Sequence, residues 1–160
     1  MILDIVTEPN PILHKKSKEL TKAEILNPDT QQLIHNMIET MRLKDGVGLA
    51  APQVGKLLRI FVIEKSFTKD KRRDLVLINP VWKKAGFLKD WDDEGCLSIP
   101  NVFGKVKRFK KISIKALDTN AEPIEFVAKN FFARSIQHEA DHLDGILFIE
   151  KAKKLYEIKE

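Results

Sequence analysis

Cysteine is almost missing from this chain, with a single residue, Cys96, in 160. One thiol excludes an internal disulfide framework and suits a reducing compartment. No stretch approaches the ~18 consecutive apolar residues of a membrane-spanning helix. The opening residues, Met1-Ile2-Leu3-Asp4-Ile5-Val6-Thr7-Glu8-Pro9, carry acids where a secretory signal needs cations, and no long apolar run follows them. Phosphate-binding glycine spacings (GxGxxG or GxxxxGK followed by Ser or Thr) do not occur. Zinc-finger spacings and RNA-binding aromatic motifs are missing as well, as are repeats, linkers and low-complexity segments. These absences predict a cytoplasmic protein with no membrane partner and no direct nucleic-acid readout.

The remainder is the composition of an ordinary globule, 43% hydrophobic and 32% charged. A length of 160 residues can bury a real core and predicts a single domain over residues 1–160. The net charge is +5, with Lys105, Lys107, Arg108, Lys110, Lys111 and Lys115 as the densest basic cluster. From Lys111 onward, apolar Ile112, Ile114 and Ala116 alternate with polar neighbours, which reads as a half-buried strand with a solvated basic face. The charge is still compatible with general attraction to a ribosomal surface.

Hydrophobic periodicity places the elements. Asn10-Pro11 opens a short helical or turn segment to about Lys16. Leu33, Ile34, Met37, Ile38 and Met41 repeat at helical spacing, so residues 30–43 should form an amphipathic N-terminal helix ending near Asp45-Gly46. Leu57 to Ile63 and Leu75 to Ile78 read as buried strands, the second stopped by Asn79-Pro80. Val106 to Leu117 and Ile124 to Val127 read as two more. Asn130 should cap a last helix from Phe131 to about Leu143, stopped by Asp144-Gly145. Helices, then strands, then one helix is an α+β order.

That last helix carries His138-Glu139-Ala140-Asp141-His142. Histidines four apart lie one turn from each other on one helix face, so both imidazoles can reach a single ion. Glu139, beside the first histidine, would project next to that ion and handle protons of its water, the logic of metal-assisted hydrolysis. Such a site wants three protein ligands and an open position. Cys96, in Asp93-Glu94-Gly95-Cys96-Leu97-Ser98-Ile99-Pro100, is the candidate third, at a turn into a short strand. His14 and His35 lie among polar neighbours and are not taken as ligands. A further segment, Gly46-Val47-Gly48-Leu49-Ala50-Ala51-Pro52-Gln53-Val54-Gly55, has two readings. Its glycines relieve backbone strain, or their bare backbone admits an extended peptide while Gln53 turns an amide inward.

Three segments together, Gly46-x-Gly48-Leu49-Ala50-Ala51-x-Gln53, Glu94-Gly95-Cys96-Leu97-Ser98 and Gln137-His138-Glu139-x-Asp141-His142-Leu143-x-Gly145, resemble the signature motifs of peptide deformylases. The resemblance runs over nearly the whole chain. It implies antiparallel β-sheets packed around a central metal-bearing helix, and removal of the formyl group from the initiator formyl-methionine of nascent polypeptides, with release of formate. It carries over Cys96, His138 and His142 as metal ligands and Glu139 as general base and acid. Gln53 and the Leu97 backbone N–H carry over as oxyanion donors, and the backbone at Val47, Gly48 and Gly95 as the peptide-binding edge. The implied cofactor is one divalent ion, Fe²⁺ in the cell, replaced by Zn²⁺ or Ni²⁺ in preparations. Val47, Phe131 and Ser135 are candidates for the methionine pocket. Phe103 departs from the family, whose members often carry a basic residue shortly after the Glu-Gly-Cys-Leu-Ser segment. Longer members also carry a C-terminal helix that docks on the ribosome, whereas only twelve residues (149–160) follow Phe148 here. Two alternatives stand beside this reading. A zincin-like peptidase would take its third ligand from Glu150, Glu157 or Glu160, and a non-catalytic metal-stabilised binding protein would need neither Glu139 nor Gln53.

Overall fold

A computed structural model describes residues 1–159. Two helices come first: α1 (Lys22–Leu26), closed at its start by a Thr21–Glu24 capping box, and α2 (Pro28–Leu43), capped by the Asn27 side chain. Strands β1 (Gly48–Ala50), β2 (Ile60–Ile63) and β3 (Leu75–Lys84) follow, then β4 (Lys89–Cys96) and β5 (Ile99–Phe109). Next are β6 (Lys111–Leu117), β7 (Pro123–Lys129), helix α3 (Asn130–Leu143) and β8 (Lys153–Glu157). Every pairing is antiparallel, giving a five-stranded sheet ordered β1-β2-β3-β6-β7 and a three-stranded sheet ordered β4-β5-β8. The α+β expectation of antiparallel sheets around a central helix, with a helix near the N-terminus, is met.

Strand β2 shows how the layers form. All four of its residues are fully buried, and their alternation feeds both faces of the large sheet. Phe61 and Ile63 meet Ala133, Ile136, Ala140 and Leu143 of α3, together with Leu77, Ile112 and Ile114. Ile60 and Val62 meet Ile34, Met37 and Met41 of α2 on the other side. The large sheet therefore lies between α2 and α3. A third cluster, Leu13, Ile99, Val106, Leu147 and Phe148, supports the small sheet.

Local departures have local causes. Helix α2 begins at Pro28, two residues before its expected start, because Asn27 caps it. The strand expected from Leu57 starts only at Ile60. Asn79-Pro80 does not end β3; the pairing shifts between Ile78 and Val81 and the strand continues to Lys84. Asn79 takes a left-handed φ of 51°, and its side-chain amide bonds both the N–H and the carbonyl of Leu20, at 2.9 and 2.8 Å. A bulge thus replaces the expected stop. The run from Val106 to Leu117 is two strands, β5 and β6, turned at Lys110. Lys129, not Asn130, sits at the N-cap of α3, and Asn130 has a φ of 56°. Strand β4 carries no buried apolar alternation to mark it, since only Glu94 of its eight residues is buried and half of them are acidic. Arg108, counted in the basic cluster, is 4% exposed and points inward.

Gly145 ends the metal-bearing helix with a φ of 75°, and a Cβ there would come within 2.6 Å of the His14 carbonyl group. Gly145→Ala should therefore combine left-handed strain with a backbone clash, at about 2–4 kcal/mol together. Urea unfolding of the two proteins measures this, and a loss below about 0.5 kcal/mol, the range of neutral surface changes, would contradict it.

Candidate metal centre

Helix α3 presents His138 and His142 one turn apart, with ring centroids 5.1 Å from each other. Strand β4 brings Cys96 to the same point from the small sheet. Its Sγ lies 3.3 Å from His142 Nε2, and the three ligand atoms all fall within 4.8 Å of one another. A thiolate with two imidazoles suits a divalent ion such as zinc or ferrous iron and leaves one tetrahedral position open. Burial disfavours charge on His138, but Cys96 and Glu94 outweigh it and draw its pKa up, whereas burial and the His138 charge push that of His142 down. An entering cation would displace a proton from this set.

Glu139 is 5% exposed, and its Oε1 has no hydrogen-bond partner among the described residues. Burial pushes its carboxyl up from 4.5 to about 7, against the opposing pull of His138. A carboxyl poised there can both accept and return a proton near neutral pH. The glycine-containing loop turns the Gln53 amide inward. Gln53 is 1% exposed, and its Oε1 accepts from the Ala50 N–H at 2.9 Å. That bond turns the amide nitrogen toward Cys96 Sγ (3.3 Å) and Ser98 Oγ (3.1 Å), so the donor faces the metal cluster.

A cavity of about 540 Å³ opens beside these groups, and Val47, Gly48, Gly95, Leu97, Phe131 and Ser135 all line it. Strands β1 and β4 are edges of their sheets, so the backbone beside the cavity can pair with an extended chain. Close approach explains Gly48: a Cβ there would lie 2.9 Å from Glu139 Oε2. The Ser135 hydroxyl donates to the Phe131 carbonyl at 3.0 Å, which leaves that wall less polar than its sequence suggests. His14 instead pairs with Glu8 at 2.6 Å and His35 lies near Glu39 at 3.4 Å, both outside the cluster.

The groups that hold the cluster in place carry no role in the sequence motifs as read above. Glu94 accepts from both Arg108 Nε and Nη2 at 2.9 Å, from Arg134 Nη1 at 2.7 Å and from His138 Nδ1 at 2.8 Å. The last bond fixes the imidazole tautomer and turns Nε2 toward the cluster. Burial alone would raise the Glu94 pKa, but the bonds from Arg108 and His138 hold it well below the usual carboxylate range. Arg108 Nη1 also reaches Asp141 at 2.6 Å, and Arg134 Nη2 reaches Asp90 at 2.9 Å. The spacing of Arg134, His138 and Asp141 along α3 was a readable sign of charges on a buried face. Their partners were not: Glu94 on β4 lies 40 and 44 residues from Arg134 and His138, and Arg108 on β5 lies 33 residues from Asp141.

Among the described residues the zincin-like alternative finds no ligand where it needs one. Glu150 uses a carboxylate oxygen to accept from the Leu147 N–H at 2.7 Å, Glu157 is exposed on β8, and Glu160 lies outside the described residues. Among the described residues the three-ligand group is the one that contains Cys96.

Comparison with known proteins agrees with this geometry. A family profile described as polypeptide deformylase matches residues 2–157. The chain is 38% identical over 159 residues to a peptide deformylase of Desulforudis audaxviator, covering 99% of each. It resembles the crystal structure of a peptide deformylase from Thermotoga maritima with a TM-score of 0.87 and 36% identity, over 96% of this chain and 99% of that one. A Met-Ala-Ser-bound class I type b peptide deformylase from Acinetobacter baumannii superposes with a TM-score of 0.87 at 31% identity, over 94% of this chain and 98% of that one.

Glu94→Gln should weaken metal affinity about 10–100-fold by loosening the His138 tautomer. It should also destabilise the fold by about 3–5 kcal/mol, since two buried guanidiniums lose their anion. The folded pKa of Glu94 is depressed, so its contribution is complete at neutral pH and is lost as pH falls below the ordinary carboxylate range. Chelator competition and urea unfolding at pH 7 test both effects; unchanged affinity and stability would remove Glu94 from the support of the centre.

Proposed function

The chain belongs to the polypeptide deformylase family, and from that premise we propose which of its residues carry out the reaction. The activity is metal-dependent hydrolysis of the formamide at the N-terminal formyl-methionine of a peptide, releasing formate. The observation that supports the assignment best is the Cys96/His138/His142 cluster beside the buried Glu139, at the meeting of two open sheet edges.

Cys96, His138 and His142 hold one divalent ion, Fe²⁺ in the cell, with Zn²⁺ or Ni²⁺ able to replace it in preparations. When bound, the ion supplies Lewis acidity that polarises the formamide carbonyl and acidifies water. Glu139 takes the proton of the attacking water and returns it to the departing amine. The Gln53 amide and the Leu97 backbone N–H donate to the carbonyl oxygen as it gains negative charge. The edges at Val47, Gly48 and Gly95 align the peptide backbone, while Phe131 and Ser135 wall the methionine side chain. A thiolate ligand on iron carries a hazard, because oxidation of Cys96 would remove a ligand.

A single catalytic domain over residues 1–160, working in the cytoplasm on nascent chains, completes this reading. No helix among the described residues is long and apolar enough to cross a membrane. Weak ribosome association is supported by the +5 charge. Residues 153–157 form strand β8, not a helix.

Formate release from formyl-Met-Ala-Ser, with metal content measured in the same samples, tests the roles separately. Cys96→Ala and His142→Ala should lose both metal and activity. Glu139→Gln should keep its metal while turnover falls about 10²–10⁴-fold. Metal lost together with activity would make Glu139 a ligand instead. Gln53→Ala should fold and bind metal, with kcat lower by about 10²–10³ and KM little changed. A normal kcat in the folded variant would reduce Gln53 to shaping its loop.

A further inference from the structure

We propose that strand β8 buttresses the wall of the substrate cleft from behind, with Tyr156 supporting Phe103 as an aromatic ledge that selects apolar, above all aromatic, side chains downstream of the methionine. The inference rests on the deformylase reading and adds a preference to it. Gly95, Phe103 and Tyr156 stand directly opposite one another on β4, β5 and β8, so they share one face of the small sheet. Gly95 contributes no side chain, and the Phe103 ring lies across it. A Cβ on Gly95 would come within 2.5 Å of Phe103 Cε1. On its other side Phe103 stacks on Tyr156, with ring centroids 5.8 Å apart and 24° between planes. Strand β8 comes this close because Gly104 leaves room. A Cβ there would meet Leu155 Cδ2 at 2.7 Å and Ala152 Cβ at 2.9 Å.

Phe103 lines the same cavity as Glu139 and His138, on the side opened by β4. A peptide adding to the β4 edge in extended form places a side chain beside Gly95 on this shared face. That side chain then meets the Phe103 ring. The next row on the face holds Asp93, Lys105 and Lys153, with Lys105 and Asp93 paired at 3.6 Å. An acidic substrate side chain drawn to those lysines is therefore the competing outcome. Tyr156 acts here as a positioning residue, since it restrains Phe103 from the far side.

The test measures kcat/KM for formate release from formyl-Met-Xaa-Ser and formyl-Met-Ala-Xaa, where Xaa is Ala, Phe or Glu. Phe should exceed Ala about 10-fold at one of the two positions, the scale of discrimination by a single apolar contact. The difference should lie in KM. In Phe103→Ala the ratio should fall to near one, and in Tyr156→Ala it should fall part of the way and recover in Tyr156→Phe. Thermal melts check folding, and Phe103→Leu carries the test if Phe103→Ala does not fold. Phe no better than Ala at either position, Glu equal to Phe, or a ratio unchanged in the variants would each overturn the ledge. No formate from formyl-Met-Ala-Ser in the unaltered, metal-loaded protein would overturn the deformylase reading itself, and the ledge with it.

Discussion

One buried carboxylate joins the two halves of this molecule. Glu94 lies on the small sheet, while Arg134 and His138, which both bond to it, lie on the helix that packs against the large sheet. Two guanidiniums and an imidazole give it four hydrogen bonds, so the cost of burying its charge is offset by strong, directional partners. Removing one member of such a group leaves uncompensated charge in the interior. The network therefore sets where β4 can lie against α3. Because Cys96 follows Glu94 by two residues on the same strand, that position also sets the distance from its sulfur to the two histidines.

The cleft follows from the same docking. Bringing β4 to α3 leaves its outer edge unpaired, facing the unpaired edge of β1 across the cavity. Exposed edges are usually a hazard, because they invite pairing with other chains. Here both edges line the cavity, and a short strand and an acidic sequence reduce pairing elsewhere. Gly48 and Gly95 occur where a side chain would collide with Glu139 or with the Phe103 ring. Both glycines are explained by what lies opposite them, not by the turn of their own backbone.

Helix α3 satisfies two requirements at once. Its apolar residues Ala133, Ile136, Ala140 and Leu143 seal the large sheet, while the residues between them include His138 and His142 of the cluster, the buried Glu139 and the ion-paired Arg134 and Asp141. Such a helix is nearly all buried, so its polar residues need partners within the protein. Most find them. The exceptions are Glu139 Oε1, beside the cluster, and His142 Nδ1, the ring nitrogen that does not meet Cys96.

The sequence by itself pointed to the side chains that the fold gathers and to the elements with strong periodicity. Histidines four apart on an amphipathic helix singled out His138, Glu139 and His142, because helix geometry is local; Cys96 came forward as the one cysteine, and Gln53 through the family resemblance. The buried alternation of β6 was legible for the same reason. Tertiary structure decided the rest. Strand β4 has the composition of a solvated loop and becomes a strand only by pairing with β5. Arg108 belongs to a basic run and turns inward because Glu94 and Asp141 are there to receive it. Asn79 continues a strand that Asn-Pro would ordinarily end, because its amide holds Leu20, 59 residues away in the chain. Each of these depends on a partner distant in sequence, and such partners are chosen by the packed fold, where an unmatched buried charge or amide costs more than local preference can return.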